Sequence, residues 1–251
     1  MSQIPRLYVG AAELAEQQVI QLDDKQSHYL VRVLRLREGK PVKLLGLAGE
    51  WLAEIEHADK KQASLRIIKQ LRPYRASPDI WLCFAPVKNE KIDFLARRAV
   101  ELGASLLWPV QTDFTQASRI NMERLEANMT EAAEQCSRMD VPDLHEYSGL
   151  QAMLDGWDSQ RQLFYADESG QGEPLHQLLS GLKNLPKSAI LVGPEGGFSE
   201  GERALLRSKD FITPCTLGPR ILRAETAVLA GLAHLSAWVG DGELKPVFVA
   251  E

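Results

Sequence analysis

The stretch AILVGPEGGFSEGE, residues 189–202, runs an apolar strand into a glycine-rich turn and then into a helix start. Gly193, Gly196 and Gly197 permit positive φ and close approach of backbone to a ligand. Ser199 with Glu202 three residues on has the form of a capping box, which opens a helix there. A second stretch, ITPCTLGPRILRAET at 212–226, has the same order of strand, turn and helix entrance. A buried strand feeding a loop and then a helix is the repeating unit of a parallel sheet. In such sheets ligands sit beyond the carboxyl ends of the strands, where both loops fall.

Outward from these loops the alternation continues. IWLCFAP reads as a strand, and Lys88 to Leu102 as a helix with Ile92, Leu95, Ala96 and Ala99 on one face, closed by Gly103. SLLWPV is the next strand. Met122, Leu125, Met129, Ala132, Ala133 and Cys136 give a helix over about 121–139. RQLFYA, a helix near 174–182, the two strands quoted above and a last helix over 224–239 complete an α/β domain at 80–251, with a mostly parallel sheet covered on both faces. Residues 1–72 read differently. RLYVG, VKLLGL, WLAEIEH and SLRIIKQL are short strands, and a helix from Lys25 towards Leu36, capped by Asp23 or Asp24, turns Leu30, Val33 and Leu34 inward. One helix among several strands predicts a small β-barrel. RPYRASPD carries two prolines and no apolar period, so 73–79 is the linker.

The chain has 251 residues, 45% of them hydrophobic and 25% charged, which is ordinary for a globular protein. Three scattered cysteines (Cys83, Cys136, Cys215) lack metal-ligand spacing and point to a reducing compartment, without disulfides or zinc. No apolar run is long enough for a membrane span and the start has no secretory pattern, so a cytoplasmic protein is expected. Residues 25–75 hold twelve Lys or Arg against five Asp or Glu, a balance of +7, leaving −12 elsewhere to reach the net −5. That split fits a polyanion-facing module joined to an acidic domain, or a solvated basic surface with no ligand.

The loop chemistry excludes a nucleotide phosphate site. There is no GxGxxG, no Lys-Ser/Thr follows the glycines, and Glu195 sets a carboxylate where a phosphate would lie. A phosphate-free ligand with a cationic centre suits the first loop. In the second, Pro219 stiffens a turn flanked by Leu217, Ile221 and Leu222, an apolar lining for a flat heteroaromatic group. Arg220 and Arg223 stand beside Glu225 at the helix entrance. The plainer alternatives are a tight turn before a helix and a core-facing loop with a surface ion pair.

LVGPEGGFSEGE together with LGPRILRAETA resembles the SPOUT-class RNA methyltransferases. More narrowly it is similar to the RsmE-type enzymes that methylate N3 of a uridine in 16S ribosomal RNA. HYLVRVLRL, KNEKIDFLARRAVELGA and EAAEQCSRMDVP occur in the family's order, so the resemblance spans nearly the whole chain. It implies a PUA-like RNA-binding barrel in front and a trefoil knot at the C-terminal end. It implies S-adenosylmethionine, with no metal, held by the segment after FYADES, by Gly193, Pro194, Glu195, Gly196 and Gly197, and by Leu217, Gly218, Ile221 and Leu222. It also implies a homodimer, which the nearly all-apolar last helix fits, and the small ribosomal subunit as partner. Arg223 would then stabilise negative charge on the uracil carbonyls, while Glu225 is either a base or a structural group. Lys88, Lys91, Arg98 and Arg138, with His28, Arg32 and Arg35 on the first helix, are candidates for holding RNA. Two other readings stay open: a ribose 2′-O-methyltransferase on the same fold, and a non-catalytic RNA-binding factor.

Overall fold

A computed structural model describes residues 4–87, 89–117, 119–181 and 187–245. The chain divides into two compact units.

The first unit holds β1 (Arg6–Gly10), β2 (Val19–Gln21), β3 (Pro41–Gly46), β4 (Gly49–His57) and β5 (Ser64–Arg72), in the order β1-β3-β4-β5-β2. The sheet curls into a half-barrel. Neighbouring strands β3, β4 and β5 pair antiparallel, so alternate residues share a face. Val42, Leu44, Trp51, Ala53, Ile55, Leu65 and Ile67 meet Leu30 in one core.

The helix expected from Lys25 towards Leu36 is shorter and changes character. Asp23 caps α1 (Asp24–His28) and forms a capping box with Gln26. The chain then enters a π-helical turn over Tyr29–Val33, in which Leu34 N–H donates to Tyr29 O five residues back. That wider spacing breaks the 3.6-residue register. Leu30 stays fully buried, but Val33 and Leu34 rotate out to solvent rather than inward. Arg35 lies beyond the helix with φ +56°, so it is not in helical register with His28 and Arg32.

The second unit contains β6 (Ile80–Phe84), α2 (Asn89–Glu101), β7 (Leu106–Gln111), most of α3 (Met122–Cys136), β8 (Asp143–Leu144), β9 (Ser148–Gly149) and α4 (Leu150–Asp155). It continues with β10 (Gln162–Ala166), β11 (Glu173–Pro174), α5 (Leu175–Gly181), β12 (Ser188–Val192), α6 (Glu200–Arg207), β13 (Ile212–Thr216) and α7 (Ala224–Val239). The sheet order is β11-β13-β10-β12-β6-β7-β8, with β9 on β7 and every pair parallel. All five residues of β12 are buried, as a strand covered on both faces requires. Gly231 lets α7 close onto β12: a Cβ there would lie 2.2 Å from Ile190 Cδ1. The order puts β13, β10 and β12 side by side, so the loops leaving their carboxyl ends converge.

Candidate functional site

Three loops form the site. The first leaves β10 at Ala166. Asp167 follows, and its side chain is wholly buried. It accepts hydrogen bonds from Arg207 Nη2 at 2.8 Å, Tyr165 Oη at 3.1 Å and Ser169 N at 3.0 Å. Burial pushes its carboxyl up, but the bonds from Ser169, Arg207 and Tyr165 outweigh that, and the group titrates below the ordinary carboxylate range. Glu168, next along, accepts from Phe198 N at 3.2 Å and from Arg203 Nη2.

The second loop leaves β12 at Val192. Gly193 lies against the ring of Phe198, which is buried and stands edge-on to Tyr165 at 5.8 Å. Gly197 N–H closes the turn onto Pro194 O at 2.9 Å with φ +70°, where a side chain is strained. The turn then enters α6 through the Ser199–Glu202 capping box, in which both reciprocal bonds are made. The third loop leaves β13 at Thr216 and reaches α7 at Ala224.

Between them lies a cavity of about 420 Å³, the size of a small-molecule site. Val192, Leu217, Leu222, Ala224 and Ala227 supply apolar wall. Cys215 belongs to that wall: burial, with the negative charge of Asp167 adding, pushes its thiol up to about 12, so it stays neutral and unreactive. Among the described residues, the charged lining is Asp167, Glu168, Glu195 and Arg220. Each carboxylate has a cation within reach: Arg207 pairs with Asp167, Arg203 with Glu168, and Lys91 lies 4.0 Å from Glu195.

Among the residues singled out from the sequence, Gly193, Pro194, Glu195, Gly197, Leu217, Gly218, Ile221 and Leu222 line this cavity. Gly196 does not; it packs under Phe114. The Ile221 side chain stands fully in solvent at the rim. Arg223 is exposed at the N-cap of α7, flanked by two lining residues but not itself lining. Glu225 pairs with Lys91 at 3.1 Å, and Lys91 is 4.0 Å from Glu195, so one ammonium ties the two loops together. Burial raises the Glu225 carboxyl, but its own backbone N–H, Lys91 and Arg223 prevail and hold it below its usual range. Its second oxygen, Oε2, is buried and has no hydrogen-bond partner among the described residues.

The cations divide. His28, Arg32 and Arg35 are all exposed in the first unit. Arg98 pairs with Glu101 and lies over the Phe94 ring. Arg138 is nearly buried and donates to Asp140 at 2.7 Å. Lys88 lies outside the described residues. Sequence reasoning passed over Asp167, Glu168 and Phe114. The first two fall at the end of FYADES, and their acidity right after a buried strand is the signal that was available.

Asp167 carries a pH prediction. Its folded pKa is depressed, so its contribution to stability is present above the ordinary carboxyl pKa of 3.8 and is lost as pH falls through the folded value. Asp167→Asn should lower stability at pH 7 and flatten the acid limb below about pH 4. Urea melts of both proteins at pH 7 and pH 3 measure this; equal acid limbs would refute it.

Two family models place the chain in the RNA methyltransferase class. A family model described as an RNA methyltransferase domain matches residues 75–236, and one described as an RNA methyltransferase PUA domain matches 22–68. Ribosomal RNA small subunit methyltransferase E of Rickettsia conorii is 33% identical over 233 residues, covering 92% of this chain and 94% of that protein. The protein of the same name from Bacillus subtilis is 31% identical, covering 89% and 94%. A crystal structure of the Neisseria gonorrhoeae protein of that name, bound to S-adenosyl methionine, superposes with TM-score 0.84 at 26% identity, covering 96% of this chain and all of that one. A Legionella pneumophila methyltransferase with the cofactor SAM bound superposes with TM-score 0.85 at 28% identity, covering 95% and 99%. The chain belongs to the ribosomal RNA small subunit methyltransferase E family.

Proposed function

We propose that this protein methylates N3 of a uridine in 16S ribosomal RNA on the small subunit, using S-adenosylmethionine, as a cytoplasmic homodimer. The observation that carries the reading is the cavity: three loops from adjacent parallel strands around an apolar wall. Its residues fit the cofactor. Leu217 and Leu222 suit a flat base, and backbone at Gly193 and Gly197 allows close approach. When bound, that group supplies a methyl on a sulfonium, an electrophile that needs no metal. The relatives named above, with the cofactor present in two related structures, support the assignment. The family's knotted threading is proposed for the same loops.

The chain's own part is to orient the base and hold charge. The uracil N3 must meet the methyl in line with water excluded, so positioning supplies much of the rate. Arg223, exposed at the lip, stabilises negative charge on the uracil carbonyls. Glu225 is held ionised by Lys91, which makes it a weak base and favours a tethering role for the pair. His28, Arg32 and Arg35 meet RNA phosphate, whereas Arg138 and Lys91 serve internal carboxylates. The dimer is supported by α7: one face is buried, while Ala233, Ala237 and Trp238 lie exposed on another. Among the described residues no helix is long and apolar enough to cross a membrane.

Nucleoside mass spectrometry of ribosomal RNA from cells lacking the protein tests this. Loss of 3-methyluridine, restored by the wild-type chain, is the expected result. Loss of a ribose-methylated nucleoside instead would reassign the substrate atom. No change in either, with no calorimetric binding of S-adenosylmethionine by folded protein, would leave a non-catalytic RNA-binding factor.

A further inference from the structure

Phe114 is half exposed, at 50%, on the loop that follows β7. A large aromatic in water is common enough singly, but this one sits on an unusually fixed backbone. Asp113 N–H donates to Glu202 Oε1 at 2.8 Å, and Ser199 Oγ donates to Asp113 Oδ2. Both partners belong to the capping box that ends the glycine-rich turn. Thr115 N–H bonds to Thr112 O, Thr112 N–H bonds to Thr115 Oγ1 at 2.9 Å, and Tyr147 Oη donates to Ala117 O at 2.7 Å.

The ring is also placed against the site. A Cβ on Gly196 would lie 3.1 Å from Phe114 Cβ, so the glycine is what lets the aromatic settle on the turn. Glu195 and Gly197, on either side of Gly196, both line the cavity. A flat apolar face is therefore held one residue from the rim. Among the described residues nothing covers the exposed half of that ring.

We infer that Phe114 is the stacking platform for the target pyrimidine, holding the base beside the cavity while its reacting nitrogen faces the donor. The inference rests on the methyl-transfer reading above. Every nucleobase has a π-face, and a base stacked on an aromatic ring gains affinity without needing a hydrogen bond. A rigid platform loses little entropy when the base arrives. Sequence choice then falls to other groups, and Phe114 selects for a base that is out of its helix rather than for its identity.

The test compares wild type with Phe114→Leu and Phe114→Tyr. Methylation of small ribosomal subunits that lack the modification gives kcat/KM, calorimetry gives the affinity for S-adenosylmethionine, and light scattering gives the mass in solution. Phe114→Leu should lower kcat/KM for the subunit about tenfold or more, with donor affinity within about twofold of wild type. Phe114→Tyr, which keeps the π-face, should remain near wild type. Equal activity of the leucine variant and wild type overturns the inference alone. So does a leucine variant with weakened donor binding, which would mark a structural role, or one with altered mass, which would mark a contact between copies. Wild type that neither binds the donor nor methylates the subunit removes the functional reading, and the inference falls with it.

Discussion

Arg223→Ala is expected to lower kcat for methylation about 100-fold, while the affinity for S-adenosylmethionine changes little. The side chain is exposed at the N-cap of α7 and makes no side-chain hydrogen bond to the helix end it precedes. Its charge is therefore available to a ligand at the cavity lip, unlike that of Lys91, which is spent on Glu225 and Glu195. Deprotonating a uracil imide spreads negative charge over its two carbonyl oxygens, and a guanidinium offers paired donors to meet it. An interaction made only as that charge develops reads out in kcat and not in donor binding. Arg223 also helps hold Glu225 ionised. If that were its whole role, Arg223→Lys would recover full activity, because an ammonium supplies the same charge. Partial recovery by lysine, with alanine strongly impaired, is the pattern that supports a bidentate contact. An alanine variant with wild-type kcat would sink the assignment.

Long regular elements were legible because their periods were long. The helix expected over 224–239 is α7, and the capping box read at Ser199 and Glu202 is made in full. Two-residue strands such as β8, β9 and β11 have too few residues to show alternation, and their pairing is decided by neighbours. The first helix failed for a different reason. Apolar residues at 30, 33 and 34 fit a 3.6-residue face, yet the π-helical turn moves Val33 and Leu34 into water. Within the site, Gly193, Gly196, Gly197, Leu217, Ile221 and Leu222 are legible by residue type, and all but Gly196 line the cavity. What stayed hidden was partnership across the sheet: Asp167 finds Arg207, forty residues on, and Phe114 finds Gly196. A charged residue looks the same in sequence whether its partner is a protein carboxylate or a phosphate. Arg138 and Lys91 are candidates for holding RNA by sequence, and both pair with carboxylates.

Gly193→Val should weaken S-adenosylmethionine binding at least tenfold and destabilise the fold by about 1–3 kcal/mol. A Cβ at this position would lie 2.9 Å from Phe198 Cε2, 3.1 Å from Cζ and 3.3 Å from Cδ2. The ring cannot swing away cheaply, because it is buried and packed edge-on against Tyr165. Pushing it moves Phe198 N–H, which holds Glu168 at the cavity edge, and presses on Tyr165, whose hydroxyl bonds to Asp167. The disturbance thus reaches two of the three loops through packed contacts rather than through any direct loss of a ligand group. Gly201→Ala is the matched control. It lies on the exposed face of α6, where an added Cβ meets nothing closer than Ser199 Oγ at 3.9 Å, and alanine is the better helix former. Thermal melts and calorimetry on both variants separate the outcomes. A valine variant that melts early but binds donor normally would mean the cavity tolerates a displaced Phe198. One that keeps both properties would mean the turn at Gly193 is looser than its packing against Phe198 requires.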